Sequence, residues 1–298
     1  MMLKFGMAAI AGSLTLIAGI QSALATPPAP EFKTFADWCL NQEKLSPAAK
    51  HTVEVLLKRV RETDCQQAND QLSKQGGLNL SDRKISDLRP LRSLINLEIL
   101  SLGGNKIHDL DPLRSLTKLI ILDLEDNRIS DISPLKALTK LDILTLRNNR
   151  ISDISPLRPL IHLQTLGLQK NRVSDISPLK SLLKLGMLNL SQNQISDLSS
   201  LKPLVKLGIL SLQENKVSDL SPLTSLIELS ILNLNHNQVS DLSPLKPLKN
   251  LGMLNLVQNQ VRDLRPLRSL PNLDFVALQG NPIANKTCPL RSPSVCQF

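Results

Sequence analysis

The residues that could do chemistry fall into two unlike groups. Four cysteines, Cys39, Cys65, Cys288 and Cys296, sit near the two ends of the 298-residue chain, and four histidines, His51, His108, His162 and His236, occupy unrelated positions. A zinc site needs about four Cys or His ligands converging at short regular spacing, and neither a CxxC nor a neighbouring histidine pair is present. Aspartates behave in the opposite way: Asp87, Asp109, Asp131, Asp153, Asp175, Asp197, Asp219, Asp241 and Asp263 recur every 22 residues. A triad requires one unique carboxylate beside one unique base, so serines and carboxylates repeated at a fixed step single out no catalytic group. No phosphate-cradling glycine loop occurs either. The chain therefore reads as no enzyme, with no catalytic residue, no metal and no cofactor.

The same step governs the apolar residues. Leucines at Leu94, Leu116, Leu138, Leu160, Leu182, Leu204, Leu226, Leu248 and Leu270 keep it without a slip, and so do asparagines from Asn105 through Asn127 and Asn149 to Asn281. A fixed period of this length means a solenoid, which grows by adding coils and overrides the two-domain prior that length alone would give. Within one period, at Leu119, Leu122 and Leu124, the apolar spacing changes from three to two, which predicts a short extended segment with neighbours alternating inward and outward. At Asn127 the chain must turn away from that strand. A buried amide side chain, with two donors and an acceptor, can satisfy the backbone groups left there. The following Asp131-Ile132-Ser133-Pro134-Leu135 reads as the start of a helical turn, with Asp or Ser as its cap and Pro at its first position.

This pattern, LxxLxxLxLxxNxIxDIxPL, resembles the leucine-rich repeat, and its 22-residue length with the DIxPL ending is similar to the internalin and phosphatase-regulator type. The resemblance covers residues 76 to 298. It implies an α/β fold: a right-handed solenoid with a parallel concave sheet, short helical or 3-10 turns on the convex side, and an α-helical N-terminal cap. Resemblance to internalins further implies protein recognition through the concave face.

The ends break the period. Residues 1–25 carry a basic residue at Lys4, an apolar run from Met7 to Ile20, and small residues at Ala23 and Ala25, a pattern similar to a signal peptide cleaved after Ala25. Secretion or export to a periplasm is the expected destination, with no membrane span after cleavage. Residues 26–75 then form a short leader and a helical cap, in which Val53, Leu56, Leu57 and Val60 make one apolar stripe and His51, Lys58, Arg59, Arg61 and Glu62 fall mainly on a solvated face. Repeats occupy 76–285 and a C-terminal cap 286–298. Stacking about nine strands roughly 4.8 Å apart holds the ends about 40 Å from each other, whereas a disulfide needs Cα atoms within about 7 Å. Cys39 is thus expected to pair with Cys65 and Cys288 with Cys296, in an oxidising compartment.

Function must then lie on the faces. The first outward position of the strands reads Ile99, Ile121, Ile143, Thr165, Met187, Ile209, Ile231, Met253 and Phe275, nearly all large and apolar where the concave side should be. Ile and Met favour a pleated surface and cover one another along a sheet, yet an apolar stripe on an exported protein also marks a partner site. Charge beside it gathers early, at Asp123, Glu125 and Arg147. A protein or peptide ligand in this groove is the leading reading, with the chain acting as a monomer.

The competing reading uses the back of the coils. Arg92, Arg114, Lys136, Arg158, Lys180, Lys202, Thr224, Lys246 and Arg268 follow successive PL or SL pairs, all but Thr224 basic, and Lys118, Lys140, His162, Lys184 and Lys206 stand four residues after the early ones. Pairs such as Lys136 with Lys140 are expected to share one face of a helical turn. With a net charge of +9, that ridge suits an envelope role on an anionic polysaccharide. Aromatics make up only 2% of the chain, which speaks against nucleic acid, since single strands are held by stacking. A cytoplasmic regulatory subunit is disfavoured by the export signal.

Overall fold

The change of spacing within each period is realised as a strand three residues long. The computed structural model describes residues 32–290 and 292–298, so the signal peptide expected over 1–25 lies outside the described residues. Strand β1 is Gly77–Asn79, β2 Ile99–Ser101, β3 Ile121–Asp123, β4 Ile143–Thr145, β5 Thr165–Gly167 and β6 Met187–Asn189. Then follow β7 Ile209–Ser211, β8 Ile231–Asn233, β9 Met253–Asn255, β10 Phe275–Ala277 and the two-residue β11 Cys296–Gln297. They form one parallel sheet in strict sequence order. Every pair from β1 to β10 is in register at the repeat step, as in Ile121 with Ile143 and Leu122 with Leu144. A solenoid of this kind cannot avoid that register, because a one-residue slip would turn every buried leucine outward.

The core is a continuous aliphatic column. In the coil opened by Leu116, the side chains of Leu116, Leu119, Leu122, Leu124, Ile129, Ile132 and Leu135 are all buried, each burial worth about 1.5–3 kcal/mol. The asparagine ladder closes the turn beside them, and its bonds have a direction. Asn149 Oδ1 accepts the Ile129 amide of the preceding coil at 3.0 Å, while Nδ2 donates to the carbonyls of Leu124, Leu146 and Arg147 at 2.9, 3.1 and 3.2 Å. Each coil is thereby tied to the one before it. The residue preceding the ladder Asn is left-handed throughout: Asp126, Asn148, Lys170, Gln192, Glu214, His236 and Gln258 have φ between 51° and 57°. That conformation costs a non-glycine residue of order 1 kcal/mol. A backbone bond to the next coil, such as Asp126 N–H to the Arg147 carbonyl at 2.8 Å, holds it in place.

The convex turns are 3-10 helices, and their chemistry differs in detail from the sequence reading. The turn Ser133–Ala137 begins after Ile132, and no side chain caps it. Asp131 instead accepts the amide of Ser133 at 2.7 Å and its hydroxyl at 3.0 Å, an Asx turn leading into the helix rather than a cap on it. Proline occupies the second position of the turn, not the first. Tight 3-10 geometry explains both shifts, since one short turn leaves fewer free amides than an α-helix.

The N-terminal cap contains three short helices: α1 Phe35–Leu40, α2 Pro47–Val60 and α3 Cys65–Ser73. Thr34 and Asp37 form a capping box on α1, and Ser46 caps α2 with Pro47 at its first turn. Phe35, Trp38, Val53, Leu56, Ala68 and Leu72 join the repeat core and close its open end. Thr52 fastens α2 to the first coil by donating to the Asp87 carbonyl at 2.8 Å. Disulfides join Cys39 to Cys65 and Cys288 to Cys296, with Cα separations of 5.5 and 5.6 Å. The second of them fixes β11, which extends the sheet by pairing with β10.

Candidate recognition surface

Because the middle residue of each strand points into the core, its two neighbours point out. Register therefore sets Ile99, Ile121, Ile143, Thr165, Met187, Ile209, Ile231, Met253 and Phe275 side by side in one row. Ile99, Met187, Met253 and Phe275 are exposed, while Ile121, Ile143, Ile209 and Ile231 are half-buried. The two faces of the strand give the same answer in every coil. Residues in the next column are partly committed to the backbone: Asn189 accepts the Ser191 amide at 3.1 Å and Asn233 the Asn235 amide at 3.1 Å.

Charge collects at one place beside the row. Asp123 Oδ1 accepts the Glu125 amide at 3.0 Å and the Thr145 hydroxyl at 2.6 Å, which leaves its second oxygen for other donors. Glu125 lies 3.8 Å from Arg147. Burial, and then the carboxylates of Asp123 and Asp126, push Glu125 above the usual carboxylate range, against the pull of Arg147. A side chain at Gly103 would come within 2.9 Å of Asp123 Oδ2 and 3.2 Å of Glu125 Cγ. Glycine there keeps the acidic patch open. So the structure brings Ile121, Asp123, Glu125, Ile143 and Arg147 together over two coils, and sets Met187 to Phe275 further along the same row.

Two features of the coil edge and back depart from the sequence reading. Lys140 and Lys184 lie beyond the ends of the 3-10 turns at Ala137 and Ser181, so the lysine pairs do not share a helical face. The ridge is nonetheless exposed, and its first arginines, Arg92 and Arg114, both reach Asp111 at 3.1 Å. A second apolar row was missed: Ile161, Leu183, Val205 and Ile227, four residues ahead of the strand starts, are exposed on successive coils, with Ile95 further back. The 22-residue step was its signal, available at one more offset than the strand positions.

Among the described residues no group of three His, Cys, Asp or Glu side chains converges as metal ligands, and no helix is long and apolar enough to cross a membrane.

The family model for leucine-rich repeats (two copies) matches residues 77–115, 117–159, 161–203 and 206–247. Among solved structures, internalin C2 from Listeria monocytogenes is 31% identical, with 78% of this chain and 92% of that chain covered and a TM-score of 0.61. The chain belongs to the internalin-like leucine-rich repeat family. A second Listeria internalin, inlF, is 39% identical at a TM-score of 0.67, with 72% of this chain covered. This internalin-like protein spans 62% of the length of that relative. The LRR ectodomain of the Arabidopsis thaliana receptor kinase GASSHO1/SCHENGEN3, in complex with Casparian strip integrity factor 2, is 26% identical, with 68% and 27% of the two chains covered and a TM-score of 0.61. No curated protein matches the chain.

Proposed function

We propose that this internalin-like protein is an exported, non-enzymatic scaffold that recognises a protein or peptide through the concave row and the charged patch beside it. The observation that carries the reading is the juxtaposition in coils 3 and 4: half-buried Ile121 and Ile143 next to a carboxylate cluster kept open by Gly103. An extended ligand with one cationic and several aliphatic side chains fits that arrangement. Preformed strands present their side chains without further ordering, so little entropy is lost on binding. The complex of the Arabidopsis ectodomain with Casparian strip integrity factor 2 supports a ligand-binding role for this architecture.

The same proposal assigns residues 1–25 to a removed signal, 26–75 to the leader and cap, 76–285 to the repeats and 286–298 to a disulfide-closed tail. Two disulfides, each inside one cap, support an oxidising destination, either periplasm or exterior. The binding residues proposed are Ile99, Ile121, Asp123, Glu125, Ile143, Arg147, Met187, Ile209, Ile231, Met253 and Phe275.

The test compares the native chain with an Ile143→Asp, Ile209→Asp, Ile231→Asp variant and with a Leu183→Asp, Val205→Asp edge variant, each first shown by circular dichroism to be folded. Partner capture from envelope and culture fractions should be lost from the concave variant alone. Equal capture by native and concave-variant chains would remove the proposal.

A further inference from the structure

The cap and the first coil enclose a cleft of about 570 Å³ whose walls carry Lys58, Arg59, Arg61, Arg83 and Lys84 against a single carboxylate, Asp82. On the helix side, His51, Val55, Lys58 and Arg59 follow each other at the i, i+4, i+7, i+8 spacing of one face. Arg61, left-handed at the end of α2 with φ 57°, turns its side chain to the same cleft. The face that composition marks as merely solvated is therefore half of a wall. The other half comes from a break in the repeat.

Arg83 stands where every later coil has its ladder asparagine. Those asparagines tie their own turn to the preceding coil, as Asn105 does in accepting the amides of Arg83 and Ile85 at 3.1 and 2.9 Å. The first coil has no preceding coil to serve. His51 Nε2 lies 2.7 Å from the Arg83 carbonyl, so the backbone is held from the cap side and the Arg83 side chain is free to line the cleft. Lys84, also left-handed at φ 60°, adds a cation at a position where no later coil has positive φ. None of the five cations makes an ion pair among the described residues.

Five like charges around one cavity, with one acid between them, repel each other unless an anion is present. Their summed field raises the local concentration of anions far more than any one exposed pair does. The cavity is within the size range of small-ligand sites. Its lining has no Phe, Tyr or Trp ring for a base to stack on, while half-buried Val55 gives it an apolar contact suited to the CH face of a sugar. The geometry points to a second binding site, separate from the concave row, that takes the phosphate or sulfate ester groups of an anionic glycan.

Calorimetry on the full chain with a sulfated hexasaccharide, its desulfated counterpart and phosphatidylglycerol vesicles tests this. The sulfated sugar should bind at low salt, weaken steeply as salt rises, and be displaced by inorganic phosphate. Arg59→Glu with Arg83→Glu should lower its affinity by about tenfold or more, Arg59→Lys with Arg83→Lys should largely restore it, and Lys180→Glu, Lys184→Glu, Lys202→Glu on the ridge should leave it unchanged. Unaltered melting temperatures show that the variants are folded. Equal losses from the cleft and ridge variants, binding of the desulfated sugar, or binding to vesicles alone would each overturn the assignment.

Discussion

The concave row and the edge row are built from the same aliphatic side chains at the same 22-residue step, yet water sees them differently. Ile161, Leu183, Val205 and Ile227 on the edge are 47–53% exposed, whereas the most exposed isoleucine of the concave row, Ile99, is 45% exposed and the inner ones are half-buried. The cause is backbone geometry. Strand neighbours stand roughly 4.8 Å away on both sides and cover each other, while the edge residues sit in turns outside the sheet. Apolar exposure alone would therefore favour the edge. What distinguishes the concave row is its flank: the carboxylates of Asp123 and Glu125 and the Arg147 guanidinium beside it, in contrast to the lysines bordering the edge.

That contrast can be calibrated against the interior of the same coils, where the effect is largest. Asn149→Ala leaves the Ile129 amide without its acceptor, while the Leu124 and Leu146 carbonyls keep the Nδ2 groups of Asn127 and Asn171, so it should cost about 1–3 kcal/mol, the range for one unsatisfied buried group. Urea denaturation measures it, and a cost below about 1 kcal/mol would mean that the ladder is replaceable by water.

On the surface the two rows should then separate. Ile209 pairs with Met187 and Ile231 across the sheet, so Ile209→Ala should cost about 1 kcal/mol, while Leu183→Ala on the edge should stay within about 0.5 kcal/mol. Equal costs in the same denaturation assay would erase the distinction between a row that the sheet covers and one that it does not.

Much of this architecture is legible in the spacing of a few residue types. The leucine step gives coil and register, and the asparagine step gives the ladder. The positions of the cysteines outside the repeats give both disulfides. Other features leave no mark in the residue types. The left-handed column contains Lys170, Gln192 and Glu214, because a backbone bond to the next coil imposes the conformation where glycine would otherwise signal it. The Asx turns at Asp131 and its equivalents look like helix caps until the 3-10 geometry moves the helix start by one residue, to Ser133. Nor is the direction of the asparagine bonds visible in one coil, although it explains why Arg83 can replace asparagine in the first. The cleft beside Arg83 depends on how a helix face meets a loop over thirty residues away by contact rather than by period, and periodic reading does not reach it.

The smallest effect is also the one that only the concave row can show. Glu125 titrates above the usual carboxylate range because it is partly buried beside Asp123 and Asp126. A raised carboxyl contributes stability that is present below its unfolded pKa and is lost as pH rises through its folded value. Glu125→Gln keeps the neutral shape, so the variant should match the native chain in acid and exceed it by a few tenths of a kcal/mol near neutrality, a small figure because the side chain is 39% exposed. The Asx-turn carboxylates Asp175 and Asp219 are lowered by hydrogen bonds from Ser177 and Ser221, and they act with the opposite sign, losing stability as pH falls through their folded values. Those terms are common to both chains and cancel in the difference. A cation placed on the patch by a partner would pull the Glu125 pKa back down, so binding should release protons and tighten as pH rises through the raised value. Denaturation midpoints of both chains from about pH 4 to about pH 7 measure the first part. A stability difference that does not change over that range would show that the patch is too well solvated to read a partner's charge.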